Sequence, residues 1–444
     1  MLRRCFSLIL LAGFLSGSNA AFAAARVVII SPHNEAIRNE FGAGFAKWHA
    51  AKFGEQAVVD WRDVGGTTDA LRFVQSEFTK KTNGIGIDLF FGGGPEPYLL
   101  LADKGFAAAY QPPAEIMRGI PQNHSGVEIY DAKFKWFGAA LSTFGILQNT
   151  KVQRMAGLPL VERWDELASP ELFGWVGAGD PRKSGTMNTM FETFLQYYGW
   201  ERGWSLLARI GGNVRRFDMF SSATAKDVTL GETTYGLAID FYAMTQIAAG
   251  GRSNISFILP KDFTSLNADG IAILTGAPNL VTAQRFIDYT IGEPGQKLWF
   301  LRRGIEGAAE REELSRMPVR PEFYERFRGQ SDFLETIKNS PFATDPSFKY
   351  DSKLARERRD VVAALIGALL VDTHPELRTA WKKLSARKPS EAAIAELGTV
   401  PVTEAEALRL ARNEWKDPAV RNRLKIQWQT WAQDKYRKIA KGQN

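Results

Sequence analysis

The chain has 444 residues, enough for two domains with a core each, and its 45% hydrophobic and 24% charged residues are those of a soluble globular protein. Its net charge of +7 is unevenly spread: residues 351–444 hold 19 Lys and Arg against 12 Asp and Glu, a net +7, whereas residues 26–350 hold 35 against 37, a net −2. A basic tail on a nearly neutral body removes the motive for a nucleic-acid reading of that body.

The chain opens with Arg3-Arg4, the apolar run Leu8 to Leu15, and Ala21-Phe-Ala23. These are the basic, apolar and small-residue parts of a cleaved export signal over residues 1–25. The apolar run falls short of the roughly 20 residues a membrane-spanning helix needs. The single cysteine, Cys5, lies inside this segment. An exported chain without disulfides suits the bacterial periplasm better than a small secreted scaffold, because a large core needs no cross-links.

From Arg26 the pattern is strand, helix, strand. The β-branched run Arg26-Val-Val-Ile-Ile-Ser31 predicts a covered parallel strand, and Ile37, Phe41, Phe45 and Trp48 then recur at helical spacing. A second strand, Val58 to Trp61, leads through Gly65-Gly-Thr-Thr-Asp69 into a helix over Thr68 to Phe78; a third, Ile87 to Phe91, closes on Gly92-Gly-Gly-Pro95. Short βα loops predict an open parallel sheet, with the strand exits 31–35, 62–68 and 92–96 on one rim, where such sheets bind ligands. Residues 135–149 have extended composition and predict a strand crossing between two lobes. Beyond it come the apolar run Phe173 to Gly179, a helix from Thr186 to Tyr198, one from Trp200 to Ile210, and Tyr235 to Asp240 leading into Phe241-Tyr242. Ile255 to Leu259 and Gly270 to Leu274 read as return strands, followed by helices over Leu280 to Tyr289 and Gly295 to Leu301.

The stretch Asp180-Pro-Arg-Lys-Ser-Gly-Thr186 carries the most chemistry. A strand that opens onto a helix start offers free backbone N–H groups and the positive end of the helix dipole, here with Ser184 and Thr186 hydroxyls beside them. Gly65, Gly66, Thr67 and Thr68 repeat the device upstream. Arg62 and Arg182 are candidate clamps on a phosphate or carboxylate, or exposed salt-bridge residues. Asp63, Asp69 and Asp240 suit sugar hydroxyls or a ligand amine. Beyond about residue 350, Val361 to Leu370 and scattered tryptophans among Lys and Arg predict a helical extension, either packed on the second half or offering a basic docking surface.

Ser31-Pro-His33, Gly65-Gly-Thr67, Ala178-Gly-Asp-Pro181 with Ser184-Gly-Thr186, Tyr235 to Asp240, and Asp269 to Asn279 with Glu293-Pro-Gly-Gln296 resemble, in order and spacing, the extracellular solute-binding proteins of bacterial ABC importers. The resemblance covers roughly residues 26–305, and its nearest branch includes ferric-ion and phosphorylated-sugar binders. It implies an α/β, two-lobed type II periplasmic-binding-protein fold with hinge strands. Lobe 1 would comprise residues 26–145 and 262–350 and lobe 2 residues 146–261, with an α-helical extension over 351–444. It also implies a monomer that closes on a solute and presents it to an inner-membrane permease, without chemistry on the solute and without a cofactor. The expected binding set is Ser31, His33, Asn34, Gly65, Gly66, Thr67, Thr68, Gly93, Ser184, Gly185, Thr186, Asp240 and Tyr242. Ferric members carry two adjacent tyrosines where this chain has Phe241-Tyr242, so iron as the transported ligand, on His33, Glu35, Asp240 and Tyr242, is the alternative to an organic anion. An exported enzyme needs a base beside Ser184, and only His33 across the cleft is available in the sequence. A sensor subunit docking through its basic tail is the third possibility.

Overall fold

The computed structural model describes residues 24–337, 340–343, 348–387 and 389–442; the expected export signal and Cys5 lie outside the described residues. Among the described residues twelve strands follow in chain order: β1 (Ala25–Ile30), β2 (Ala57–Arg62), β3 (Leu89–Phe91), β4 (Ala107–Ala108), β5 (Asn123–His124), β6 (Val127–Glu128), β7 (Phe137–Asn149), β8 (Val176–Gly179), β9 (Val214–Asp218), β10 (Tyr235–Ile239), β11 (Ile255–Ile258) and β12 (Leu266–Leu274). All but the β5–β6 hairpin join one sheet of ten strands, ordered β2-β1-β3-β12-β7-β10-β8-β9, with β4 on β12 and β11 on β7. The fold is therefore the mixed α/β architecture that the strand–helix alternation predicts.

The first helix shows how the sequence sets these elements. Asn34 caps the helix Glu35–Phe53 by accepting from the Ile37 N–H at 3.0 Å, and Gly54, at φ +67°, ends it in a left-handed turn. Ile37, Phe41, Phe45 and His49 line its buried face at four-residue spacing. Sequence and structure differ at several boundaries. The strand expected from Phe173 starts at Val176, and the strand β9 and the helix Ser221–Leu230 carry no strong pattern in the sequence.

Strand β7 organises the whole. All thirteen of its residues are buried. Its first part pairs antiparallel with β12, from Phe137 opposite Ile271 to Thr143 opposite Leu266; its second part pairs antiparallel with β10, from Phe144 opposite Ile239 to Gln148 opposite Tyr235. Strands β1, β2 and β3 are parallel, and β3 ends where Phe91 meets Ile271. Strands β8, β9 and β10 are likewise parallel, and β10 ends where Ile239 meets Phe144. The two parallel groups thus run head to head along β7. Their exits face each other across residues 138–143, about 20 Å at the rise of an extended strand.

Two apolar clusters form the core. One fills the first half and continues beneath the helices Ser221–Leu230 and Asp240–Gly250. The other lies on the opposite face of the second half's strands, around Trp164, Phe194, Trp204 and Ile210. The helical extension is built into this second cluster: Val361, Val362, Leu365, Leu369, Leu377, Trp381, Trp428 and Tyr436 are all within it. Each such side chain contributes about 1.5–3 kcal/mol by leaving water, so the tail is a structural layer of the second half.

A buried ion pair fixes the extension in place. Arg358, on the helix Ser352–Ile366, donates to Glu192 at 2.8 and 3.1 Å and also to Glu404, with its guanidinium over the Trp200 ring. Arg358→Ala leaves Glu192 buried and unpaired, so the expected loss of unfolding free energy is about 3–5 kcal/mol, read as a fall in the denaturant midpoint. Arg412→Ala, which removes an exposed pair with Glu357, serves as the control and should leave the midpoint in place.

Candidate functional site

In the first half the three strand exits pack against one another. Ser31 is buried and its Oγ accepts from the His33 N–H at 3.1 Å. The His33 ring lies edge-on to Phe91 and Trp299, with Nε2 3.0 Å from Asp269 Oδ2. Gly92, at φ +114°, faces that ring so closely that a Cβ would sit 2.9 Å from it; a Cβ on Gly93, at φ +89°, would lie 2.5 Å from Thr67 Cγ2. Only glycine fits either position. At the β2 exit, the Gly65 N–H donates to Asp63, and Arg38 pairs with the same carboxylate; together they hold Asp63 below its usual acidity range. Gly66 precedes the helix Thr67–Lys80 with no side-chain cap, which leaves the first N–H groups of that helix without a capping partner. The Thr68 side chain lies outside what the structure describes. Asn34 and Glu35 are exposed at the start of the first helix.

In the second half Ser184 is buried and fully used. Its Oγ accepts from the Met187 N–H at 3.2 Å and bonds to Ser221 Oγ, tying the starts of two helices together. Gly185 is exposed and Thr186 half-buried. At the β10 exit Asp240 is buried, with Oδ1 accepting from the Phe241 N–H at 2.8 Å. Burial pushes its carboxyl up to about 7 against the downward pull of Arg316; Ser142 and Thr143 lie near enough to help without completing a hydrogen bond to Oδ2. Tyr242 is half-buried, its ring 4.4 Å from that of Phe241.

The floor between the halves carries a charged cluster that sequence reasoning missed. Arg316 Nη2 pairs with Asp269 at 3.0 Å, Nη1 donates to Ser142 on β7 at 3.2 Å, and the guanidinium sits 4.6 Å from the Phe241 ring centre. Burial opposes ionisation of Asp269, but His33 and Arg316 outweigh it and hold the carboxyl below its ordinary value. His33 Nδ1, Asp240 Oδ2, Asn267 Oδ1 and Asp269 Oδ1 are buried polar atoms with no partner among the described residues. Buried polar atoms are rarely left so, and these four lie along one floor and its two walls.

The structure decides between several expected roles. Arg182 is not a free clamp: it makes bidentate contacts with Asp180 and with Asp372 of the extension. Arg62 pairs with Asp60 at the surface. The ferric set does not assemble, since Glu35 points to solvent, His33 is held by Asp269, and among the described residues no three His, Cys, Asp or Glu side chains are placed to hold a metal ion. Asp269 was discoverable as the one charge at the head of an apolar strand. Arg316 had no signal, because it lies in an irregular segment that meets β7 only in three dimensions, through the Leu141–Met317 bridge. Lys183, exposed in the loop before Ser184 and without an ion-pair partner among the described residues, was also passed over.

Two head-to-head α/β halves over a polar floor have the two-lobed architecture of the periplasmic-binding-protein fold. Residues 100–312 match the family described as "Bacterial extracellular solute-binding protein". An uncharacterized protein of Haemophilus influenzae is 26% identical over 49% of this chain, and the match spans only 61% of that relative. The phosphoglycerate transport regulatory protein PgtC of Salmonella typhimurium is 24% identical over 66% of this chain and 69% of its own. The fold is shared with the periplasmic binding protein AfuA of Actinobacillus pleuropneumoniae, solved with fructose 6-phosphate: TM-score 0.52 and 20% identity over 80% of this chain and 97% of that one. Over residues 100–312 the chain is thus similar to the bacterial extracellular solute-binding proteins.

The raised pKa of Asp240 makes stability depend on pH. Between about 4 and 7 the folded chain retains a proton that the unfolded chain, with an ordinary value of 3.8, has released. This contribution is therefore whole below about pH 4 and is lost as pH rises through 7. Asp240→Asn keeps the acceptor for the Phe241 N–H but cannot ionise. Its denaturation midpoint relative to the native chain should climb from pH 4.5 to pH 8; parallel curves would refute the assignment.

Proposed function

We propose that the chain is the periplasmic substrate-binding component of an ABC importer, and that it captures a small phosphorylated or carboxylated organic anion between its halves for an inner-membrane permease. Residues 26–145 with 262–350 form one lobe in this reading and residues 146–261 the other, with residues 1–25 directing export. One observation carries the choice of an anion. Three carboxylates around the cleft are offset, Asp63 by Arg38, Asp269 by His33 and Arg316, and Asp240 in part by burial that raises its pKa to about 7. Meanwhile the Thr67 and Thr186 hydroxyls, the helix N–H groups beside them and the Lys183 ammonium are uncommitted among the described residues. A site with spare donors and little spare negative charge favours an anion and disfavours a trivalent cation. The guanidinium stacked on Phe241, beside Tyr242, acts in the same direction.

The bound fructose 6-phosphate of the AfuA structure and the phosphoglycerate in the PgtC name give the class its first candidates. Binding without turnover fits the surroundings of Ser184, whose hydroxyl meets Ser221, while His33 is engaged by Asp269. A solute is thus held by polar contacts, and the closed state is selected by its contacts to both halves.

Isothermal titration calorimetry of the purified chain with fructose 6-phosphate, 3-phosphoglycerate, inorganic phosphate and citrate tests the class. At least one phosphorylated or carboxylated compound should bind. For the best of them Thr67→Val and Thr186→Val should each weaken binding about 3- to 10-fold, the loss of one hydrogen bond. Affinities that ignore both substitutions remove these two walls from the site.

A further inference from the structure

Arg358 holds the helix Ser352–Ile366 to the second half, and the next residue reaches the other way. Arg359 Nη1 donates to Glu96, in the first turn of the helix Pro95–Asp103, which is anchored in the first half by Tyr98 and Leu101. Arg359 Nη2 lies 3.4 Å from the point where a Cβ would stand on Gly185, at the start of the helix Gly185–Tyr198 in the second half. One guanidinium therefore touches both walls at the rim where the β3 and β8 exits face each other.

The segment that leads into this helix straddles the same divide. Phe348 packs with Tyr197 and Phe263 in the second cluster. The Tyr350 N–H donates to the Ser125 carbonyl of the first half at 2.9 Å, and Tyr350 packs on the first cluster. Asp351 then exchanges two hydrogen bonds with Gln196 of the second half, at 2.7 and 3.0 Å. Besides β7 and the chain running into β12, residues 348–359 thus make a further bridge between the halves, placed at the rim.

We propose that the C-terminal extension latches the cleft, with Arg359 paired to Glu96 holding the halves together until the cleft opens. The proposal rests on the reading above that the halves close on a solute, with β7 the strand that pairs in both. The Arg359 and Glu96 side chains are 35% and 51% exposed, so their pair is weak as a source of folding stability. A pair that spans two bodies acts instead on a balance between open and closed forms that lie close in energy, where a small term shifts populations. Arg359 is well suited to this, because the buried pair of Arg358 fixes its helix and reduces the entropy lost on closing the contact.

The test is single-molecule energy transfer on the unliganded full mature chain, labelled at Lys104→Cys in the first half and Lys226→Cys in the second, both exposed. Arg359→Glu should raise the ratio of open to closed molecules about two- to fivefold. The double variant Glu96→Arg/Arg359→Glu should restore it. Salt raised from 0.05 to 0.5 M should move the parent toward the Arg359→Glu value and leave that variant unmoved. Arg359→Gln serves as the milder variant should the reversal disturb folding, checked by thermal melting. An unchanged ratio in a folded variant, or a double variant that stays open, overturns the latch. Calorimetry that finds no phosphorylated or carboxylated ligand, while energy transfer still answers to Arg359, would sink the solute reading and leave the latch standing.

Discussion

The structure depends on one strand keeping its direction while its partners change. Over residues 137–143 β7 is antiparallel to β12, and over residues 144–148 it is antiparallel to β10. β10 belongs to the second parallel group, whereas β12 is itself antiparallel to β3 of the first, so the two groups point at each other. Strand direction alone therefore creates a gap lined on both sides by strand exits and helix starts, the places where an α/β sheet exposes unpaired N–H groups. No loop has to be specially shaped to make the cleft. The loops need only be short, and the glycines at positions 92 and 93 let them pack to contact.

The gap is floored by polar residues, and their charges are arranged to cancel. Ser142 on β7 and Asn267 and Asp269 on β12 face a guanidinium brought in by the segment after the first half's last helices. A charge buried without a partner is costly, and the set His33, Asp269 and Arg316 answers that cost within the chain. The result is a floor that is polar and nearly charge-balanced, with Asn267 Oδ1 and Asp269 Oδ1 left as acceptors among the described residues. The same arrangement explains why Phe241 is tolerated where ferric binders carry a phenolate: its ring supplies an apolar face for Arg316 to stack on.

Local patterns were legible where one element decided its own structure. The β1 run of Val and Ile, the Asn34 cap, the Ser184 cap and the glycine-rich β3 exit all announce themselves within a few residues, and the structure keeps them. Register was not legible. Nothing within residues 310–320 tells that Arg316 will lie against Ser142, since that contact joins residues 174 apart in sequence. The candidate site divides the same way. Glycines and hydroxyls at helix starts could be read from sequence, whereas Asp269, Asn267 and Arg316 enter through pairing with β7. Arg182 stayed open for a related reason: a guanidinium beside a helix start fits an anion clamp as well as a salt bridge until a partner 190 residues away, Asp372, is seen to hold it.

The basic tail shows how composition can point away from the physics. Its net +7 suggests a surface awaiting an acidic partner, yet several of its cations are spent inside the molecule. Arg358 is buried between Glu192 and Glu404, and Arg378 caps the Arg215 carbonyl while stacking on Phe173. Lys435 donates to the Leu397 and Thr399 carbonyls, and burial pulls its ammonium down to about 7. These contacts orient helices whose apolar faces complete the second cluster, and the tail brings its own acidic partners as well, Asp372 to Arg182 and Glu357 to Arg412. A charge excess counted along the sequence is therefore no measure of charge offered to solvent. The second half uses the extension as its outer layer, and the helix that carries Arg358 into that layer is the one that brings Arg359 to the rim.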